Sequence, residues 1–159
     1  MRSISIATTV CLLLGPATVH AQEKRYPPEV RAVLAEARKA CSKEGGKRVE
    51  FDRKAVRRVE LTGDGRDDFI IDLTYTRCVD REYAFCGSAG CDFAIVVSKR
   101  GRGYTRVFSQ QVNGYGIEGS GSARTIRFDL HGGFCGKSGS EGCVKRQRIS
   151  EKPFKFKQR

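Results

Sequence analysis

The stretch E-L-T-G-D-G-R-D-D-F-I-I-D-L-T-Y, from Glu60 to Tyr75, joins a Gly/Asp turn to a strongly apolar segment, and the rest of the chain is read around it. Gly63 and Gly65 supply positions where positive φ costs nothing, and Asp64, Asp67 and Asp68 can bond nearby backbone, so a tight turn is predicted. The residues that follow alternate. Phe69, Ile71, Leu73 and Tyr75 fall on one side and Ile70, Asp72 and Thr74 on the other, which predicts a strand over 69–75 with one fully buried face.

Upstream, Val30, Val33, Leu34, Ala37 and Cys41 recur at helical spacing between Pro27-Pro28, which suits a first turn, and Gly45-Gly46, which ends one. Short strand patterns separated by turn signals surround the central strand: Val49 to Phe51, Ala55 to Leu61, Phe93 to Ser98, Tyr104 to Val112, Ala123 to His131, Val144 to Ile149 and Phe154 to Lys157. Lys99 to Gly103 and Gly119 to Ser122 read as hairpin turns. Ile126, Phe128 and Leu130 alternate with Arg127, Asp129 and His131, the mark of an antiparallel sheet with one wet face. Connections this short hold no crossover helices. The expected fold is therefore α+β, one N-terminal helix packed on an antiparallel β-meander, disulfide-stapled, in a single domain over 22–159. The length excludes a full β-propeller.

Residues 1–21 read as a secretory signal: Arg2, an apolar run from Ile4 to Leu14, and a small-residue cleavage site at Val19-His20-Ala21. That run is too short and too interrupted to serve as a transmembrane segment. Of the seven cysteines, Cys11 lies in the leader, leaving Cys41, Cys78, Cys86, Cys91, Cys135 and Cys143. An even set in an exported chain implies disulfides and a periplasmic or extracellular address. Six cysteines allow 15 connectivities. Pairing near neighbours joins Cys86 to Cys91 and Cys135 to Cys143 and leaves Cys41 for Cys78. The spacing does not suit a zinc site.

The formal charge is +12, and the basic residues are clustered. Arg57 and Arg58 belong to one group, Arg100 and Arg102 to a second, and Lys145, Arg146 and Arg148 to a C-terminal run that continues through Lys152, Lys155 and Lys157. Such a field attracts anionic polymers or membrane surfaces. Phe154 and Phe156 interleave with lysines as on single-strand nucleic-acid surfaces; the competing reading is an edge strand guarded by charge. H-G-G-F-C-G-K-S, His131 to Ser138, falls one residue short of a phosphate-binding P-loop, and no helical periodicity follows it. His131, the one histidine outside the leader, has Asp129 on the same strand face as a partner for general-base chemistry. No nucleophile-elbow or metalloprotease pattern accompanies it.

The Gly/Asp segment resembles the short calcium loops, D-x-[DN]-x-D-G-x-x-D, of FG-GAP-type β-repeats and, in longer form, EF-hands. That resemblance implies calcium ligands at Glu60, Thr62, Asp64, the Arg66 carbonyl and Asp68. It is degenerate: Glu and Thr stand at the first and third places, and Ile71 replaces the bidentate Glu of an EF-hand. An Asx-type turn without metal is the other reading of the same residues. Three segments together, T-G-D-G-R-D-D, F-C-G-S-A-G-C at Phe85 to Cys91 and L-H-G-G-F-C-G-K-S-G-S-E-G-C-V-K at Leu130 to Lys145, resemble small exported bacterial cysteine-rich proteins. The resemblance implies export and disulfides and carries no catalytic residue. The function expected is an exported, non-enzymatic binding protein whose basic surface engages an anionic cell-envelope or extracellular component, without an obligatory cofactor. The alternatives are a secreted hydrolase or nuclease using His131 and an inhibitor-type interaction module.

Overall fold

The structure, a computed structural model, describes residues 23–121 and 124–157. The leader with Cys11, and the residues Ser122 and Ala123, lie outside that range. One long helix, α1 (Pro28–Lys43), buries Val30, Val33, Leu34, Ala37 and Cys41 along a single face, as their spacing predicts. Its last carbonyls meet a cation: the Arg81 guanidinium donates to the Glu44 carbonyl, favourable at the negative end of the helix dipole.

Ten strands follow among the described residues: β1 (Val49–Phe51), β2 (Val56–Val59), β3 (Asp68–Asp72), β4 (Thr76–Cys78), β5 (Cys86–Gly87), β6 (Gly90–Ser98), β7 (Tyr104–Val112), β8 (Gly114–Glu118), β9 (Thr125–Leu130) and β10 (Cys143–Arg148). Every pairing is antiparallel, but the strands do not form one meander. They divide into a five-stranded sheet of β2, β3, β6, β7 and β5, a three-stranded sheet in the order β10-β9-β8, and a β1–β4 ribbon.

The layers explain why β3 is central. Ile70 joins Phe93, Ile95, Phe108, Ile126 and Phe128 in a core between the two larger sheets, while Phe69 and Ile71 join Val30, Leu34 and Val96 in a second core under α1. Both faces of β3 are therefore buried, not one, and every residue of the strand is inaccessible. The strand is also shorter than expected. After Asp72 a 3₁₀ turn over Leu73–Tyr75 breaks the alternation, because the Asp72 carboxylate accepts the Thr74 N–H (3.0 Å) and caps the turn. At Val107 one extra residue in β7 lets Val107 and Phe108 both enter the sandwich core.

Residues 150–157 form no strand, where one was expected over Phe154 to Lys157. Pro153 has no N–H to donate, and only Phe154 makes a backbone bond to β7, to the Val107 carbonyl at 2.8 Å. The Gln110 side chain closes the strap by pairing with the Phe156 backbone at 2.6 and 2.9 Å. Phe154 stacks on Phe108 with ring centroids 4.8 Å apart, and Phe156 packs edge-on to Phe128 at 5.3 Å. These rings seal the sandwich; Lys155 and Lys157 point outward.

Cys41–Cys78, Cys86–Cys91 and Cys135–Cys143 lie at disulfide-bond distance, the neighbour pairing expected. The first ties α1 to the β1–β4 ribbon rather than to the main sheet. Gly46 is pressed onto it: a Cβ there would lie 2.2 Å from Cys78 Sγ and 2.6 Å from Cys41 Sγ. No helix among the described residues is long and apolar enough to cross a membrane.

Candidate functional site

Antiparallel registers sort the loops onto two ends. The start of β6, the ends of β7 and β9 and the start of β10 share one end, which carries Cys91, Cys135 and Cys143. The β2–β3 turn, the 99–103 hairpin tip and the segment after β10 share the other.

That second end is knit together by Asp68. Its carboxylate is fully buried and accepts three backbone N–H groups, from Leu61 (2.8 Å) and Thr62 (3.1 Å) at Oδ2 and from Ser98 (2.8 Å) at Oδ1. Burial pushes its pKa up against the downward pull of those donors, with the neighbouring Asp64 charge adding a small upward push. Asp64 accepts the Ser98 hydroxyl at 2.6 Å and the Arg66 N–H at 2.9 Å, which hold it below the usual carboxylate range. Glu60 accepts the Gly63 N–H, and the Arg66 guanidinium reaches the Lys99 carbonyl at 2.8 Å. Gly63 and Gly65 take positive φ, 80° and 75°, as the turn requires. Glu60, Asp64 and Asp68 thus act as hydrogen-bond acceptors that close the turn and dock it on β6. Among the described residues no group of three or more His, Cys, Asp or Glu is placed to hold a metal ion.

Beside this turn opens a groove of about 660 Å³ whose walls include Arg100, Arg148, Lys152, Thr62, Asp64 and Glu151. Glu151 accepts the Arg100 backbone N–H at 2.9 Å and so clamps the hairpin tip against the C-terminal segment. The clamp leaves the Arg100 guanidinium and the Lys152 ammonium without a carboxylate partner among the described residues. Three cations from two distant segments therefore line one concavity, with two carboxylates already engaged in hydrogen bonds. An arginine fork in such a place suits phosphate, sulfate or carboxylate groups.

The other basic candidates are dispersed. Arg57 donates to the Tyr115 hydroxyl at 2.8 Å, whose own pKa burial raises. Arg58 sits 5.9 Å over the Phe69 ring and 3.8 Å from Asp67. Lys145 donates to the Phe134 carbonyl at 2.8 Å and lies 5.2 Å from the Phe156 ring centre. Arg146 makes a two-pronged contact with Glu118 at 2.8 and 3.2 Å. Arg102 stands exposed at the hairpin tip between Gly101 and Gly103. Of the arginines singled out from sequence, the groove gathers Arg100 and Arg148; Lys152 completes it, and no local pattern distinguishes that lysine from its neighbours.

His131 sits at the opposite end as an internal cap. Its Nδ1 accepts the Gly133 N–H at 3.2 Å, and Gly139 packs so closely that a Cβ there would lie 2.2 Å from Nε2. Asp129 bonds Arg127 at 2.7 Å instead. The P-loop-like residues form a 3₁₀ turn, Gly132–Cys135, closed by the Cys135–Cys143 bond. Comparison of the chain with models of known protein families, with curated proteins and with solved structures found no match.

Proposed function

We propose that this is an exported, non-enzymatic binding protein that holds an anionic cell-envelope or extracellular polymer in the groove between the hairpin tip and the C-terminal segment. The observation that carries the reading is the convergence of Arg100, Arg148 and Lys152 on one concave surface. Three disulfides suit an oxidising compartment, and the +12 charge supplies the long-range attraction that brings such a polymer in. Specific binding then depends on local forks rather than on total charge. The His131 side chain is spent on capping its own loop, which favours binding over hydrolysis.

The test is binding of the oxidised protein to lipopolysaccharide, peptidoglycan, anionic vesicles, RNA and DNA, each across a salt series. One member is retained at physiological salt. Arg100→Gln, Arg148→Gln and Lys152→Gln each weaken it and lower the salt slope by roughly one. Lys43→Gln, exposed on α1, changes neither. Equal losses from Lys43→Gln and the groove variants would reduce the attraction to net charge and reject the groove.

A further inference from the structure

A second concavity is lined by carboxylates and by no basic side chain. It lies between α1 and the outer part of β6 and β7, has a volume of about 260 Å³, and its charged lining groups are both carboxylates, Glu36 and Asp92. It exists because short side chains meet there: Ala37 and Ala40 from the helix face Ala94 and Ser109, which stand opposite each other in the β6–β7 register. Two residues along the same register, Asp92 stands opposite Gln111.

The two carboxylates are not equivalent. Glu36 receives two N–H bonds from Arg106, both 2.7 Å, and is held down by that partner. Asp92 is half-buried and makes no ion pair among the described residues; burial holds its pKa up against a smaller downward pull from Gln111, which stands opposite it. A carboxylate in apolar surroundings without a counter-charge is costly to ionise, and a cation entering the pocket removes that cost.

We propose that the pocket binds a small primary alkylamine, its ammonium against Asp92 and its alkyl stem along Val33, Ala37, Ile71 and Leu73. The ammonium's donors match what the pocket's lining offers: the Asp92 carboxylate and the Ser109 hydroxyl. Its apolar wall takes the stem, and the volume, below the roughly 300–1,000 Å³ of drug-sized sites, limits that stem to about five carbons. The site lies across β3 from the sandwich core, on the helix side, and its ligand is opposite in charge to the polymer of the basic groove. It stands independently of that reading.

The experiment is an NMR titration of the ¹⁵N-labelled, oxidised protein at neutral pH with n-pentylamine, n-pentanol and n-pentanoate. The amine gives saturable shifts at the amides of Ala37, Ala40 and Ala94, at least tenfold tighter than the alcohol, and pentanoate gives none. Asp92→Asn, which preserves shape, weakens the amine at least tenfold. Ala40→Leu, which fills the cavity from a partly exposed helix position, removes binding with the rest of the spectrum retained. The proposal is overturned if pentanol binds as tightly as pentylamine, if either folded variant keeps the parent affinity, or if millimolar amine shifts none of those amides. Polymer binding at the basic groove is unchanged by the amine in either case.

Discussion

Replacing Asp68 by Ala removes one buried acceptor that serves three backbone donors, and its cost can be worked from the structure. Leu61, Thr62 and Ser98 each lose an N–H···O bond of 2.8 to 3.1 Å to a charged oxygen. Bonds of that kind contribute about 1.5–3 kcal/mol each. Water entering the space left by the carboxylate recovers part of this, and the burial cost of the charge, visible in the raised pKa of Asp68, disappears with it. The net loss is on the order of 3 kcal/mol, equivalent to a fall in Tm of roughly 10 °C for a domain of this size. Asp68→Asn costs less, about 2 kcal/mol, because its carbonyl oxygen still serves Leu61 and Thr62 while its NH₂ opposes the Ser98 N–H. Urea unfolding with disulfides intact reads both values, with the m-value unchanged as evidence that the transition stays two-state. Asp67→Ala, at the exposed neighbour facing Arg58 across 3.8 Å, stays within about 0.5 kcal/mol. If Asp68→Ala and Asp67→Ala proved equal, Asp68 would not be what ties the turn to β6.

Gly46→Ala forces a Cβ onto the Cys41–Cys78 sulfurs and is expected to leave two free thiols per molecule in a thiol assay after oxidative refolding; full oxidation with parental stability would refute the packing argument. Phe154→Ala strips a ring stacked on Phe108 and should cost about 2–3 kcal/mol in urea unfolding, with Lys155→Ala neutral; equal effects would mean the strap does not seal the core. Calcium or a chelator leaves Tm unmoved, since the loop carboxylates are committed to N–H and O–H donors; a calcium-dependent rise would show a bound ion. Asp92 has a raised pKa from burial, so its contribution to stability is full below the ordinary aspartate range and is lost as pH rises through the folded value. Glu36, held down by Arg106, acts with the opposite sign, its contribution being lost as pH falls. Asp92→Asn should therefore gain stability relative to the parent from acid to neutral pH, and a pH-independent difference would contradict the burial of that carboxyl.

Local patterns in the chain carried much of the architecture. Helical spacing of Val30, Val33, Leu34, Ala37 and Cys41 specified α1 and its buried face, because periodicity is a property of neighbouring residues. Alternation specified β1 and β7 to the residue and β6, β9 and β10 to within a few. Glycines at 63 and 65 marked the turn. Cysteine spacing left 15 connectivities open, and the structure has the one that joins near neighbours. Other features depend on contacts between segments remote in sequence. That β3 is buried on both sides follows from α1 lying on one face and β8–β10 on the other, which no alternation within 69–75 can reveal. In sequence Phe154 and Phe156 read as part of an edge strand guarded by lysines or of a basic-aromatic surface, yet the cost of exposing rings beside an open sandwich core turned them inward. Arg100 and Arg148 belong to separate charge clusters in the chain; only the β6–β7 hairpin, the exit of β10 and the Glu151 clamp bring them to one groove. Composition determined how much positive charge the protein carries, and tertiary structure decided where it converges, because folding sets distances between charges that sequence separation leaves free.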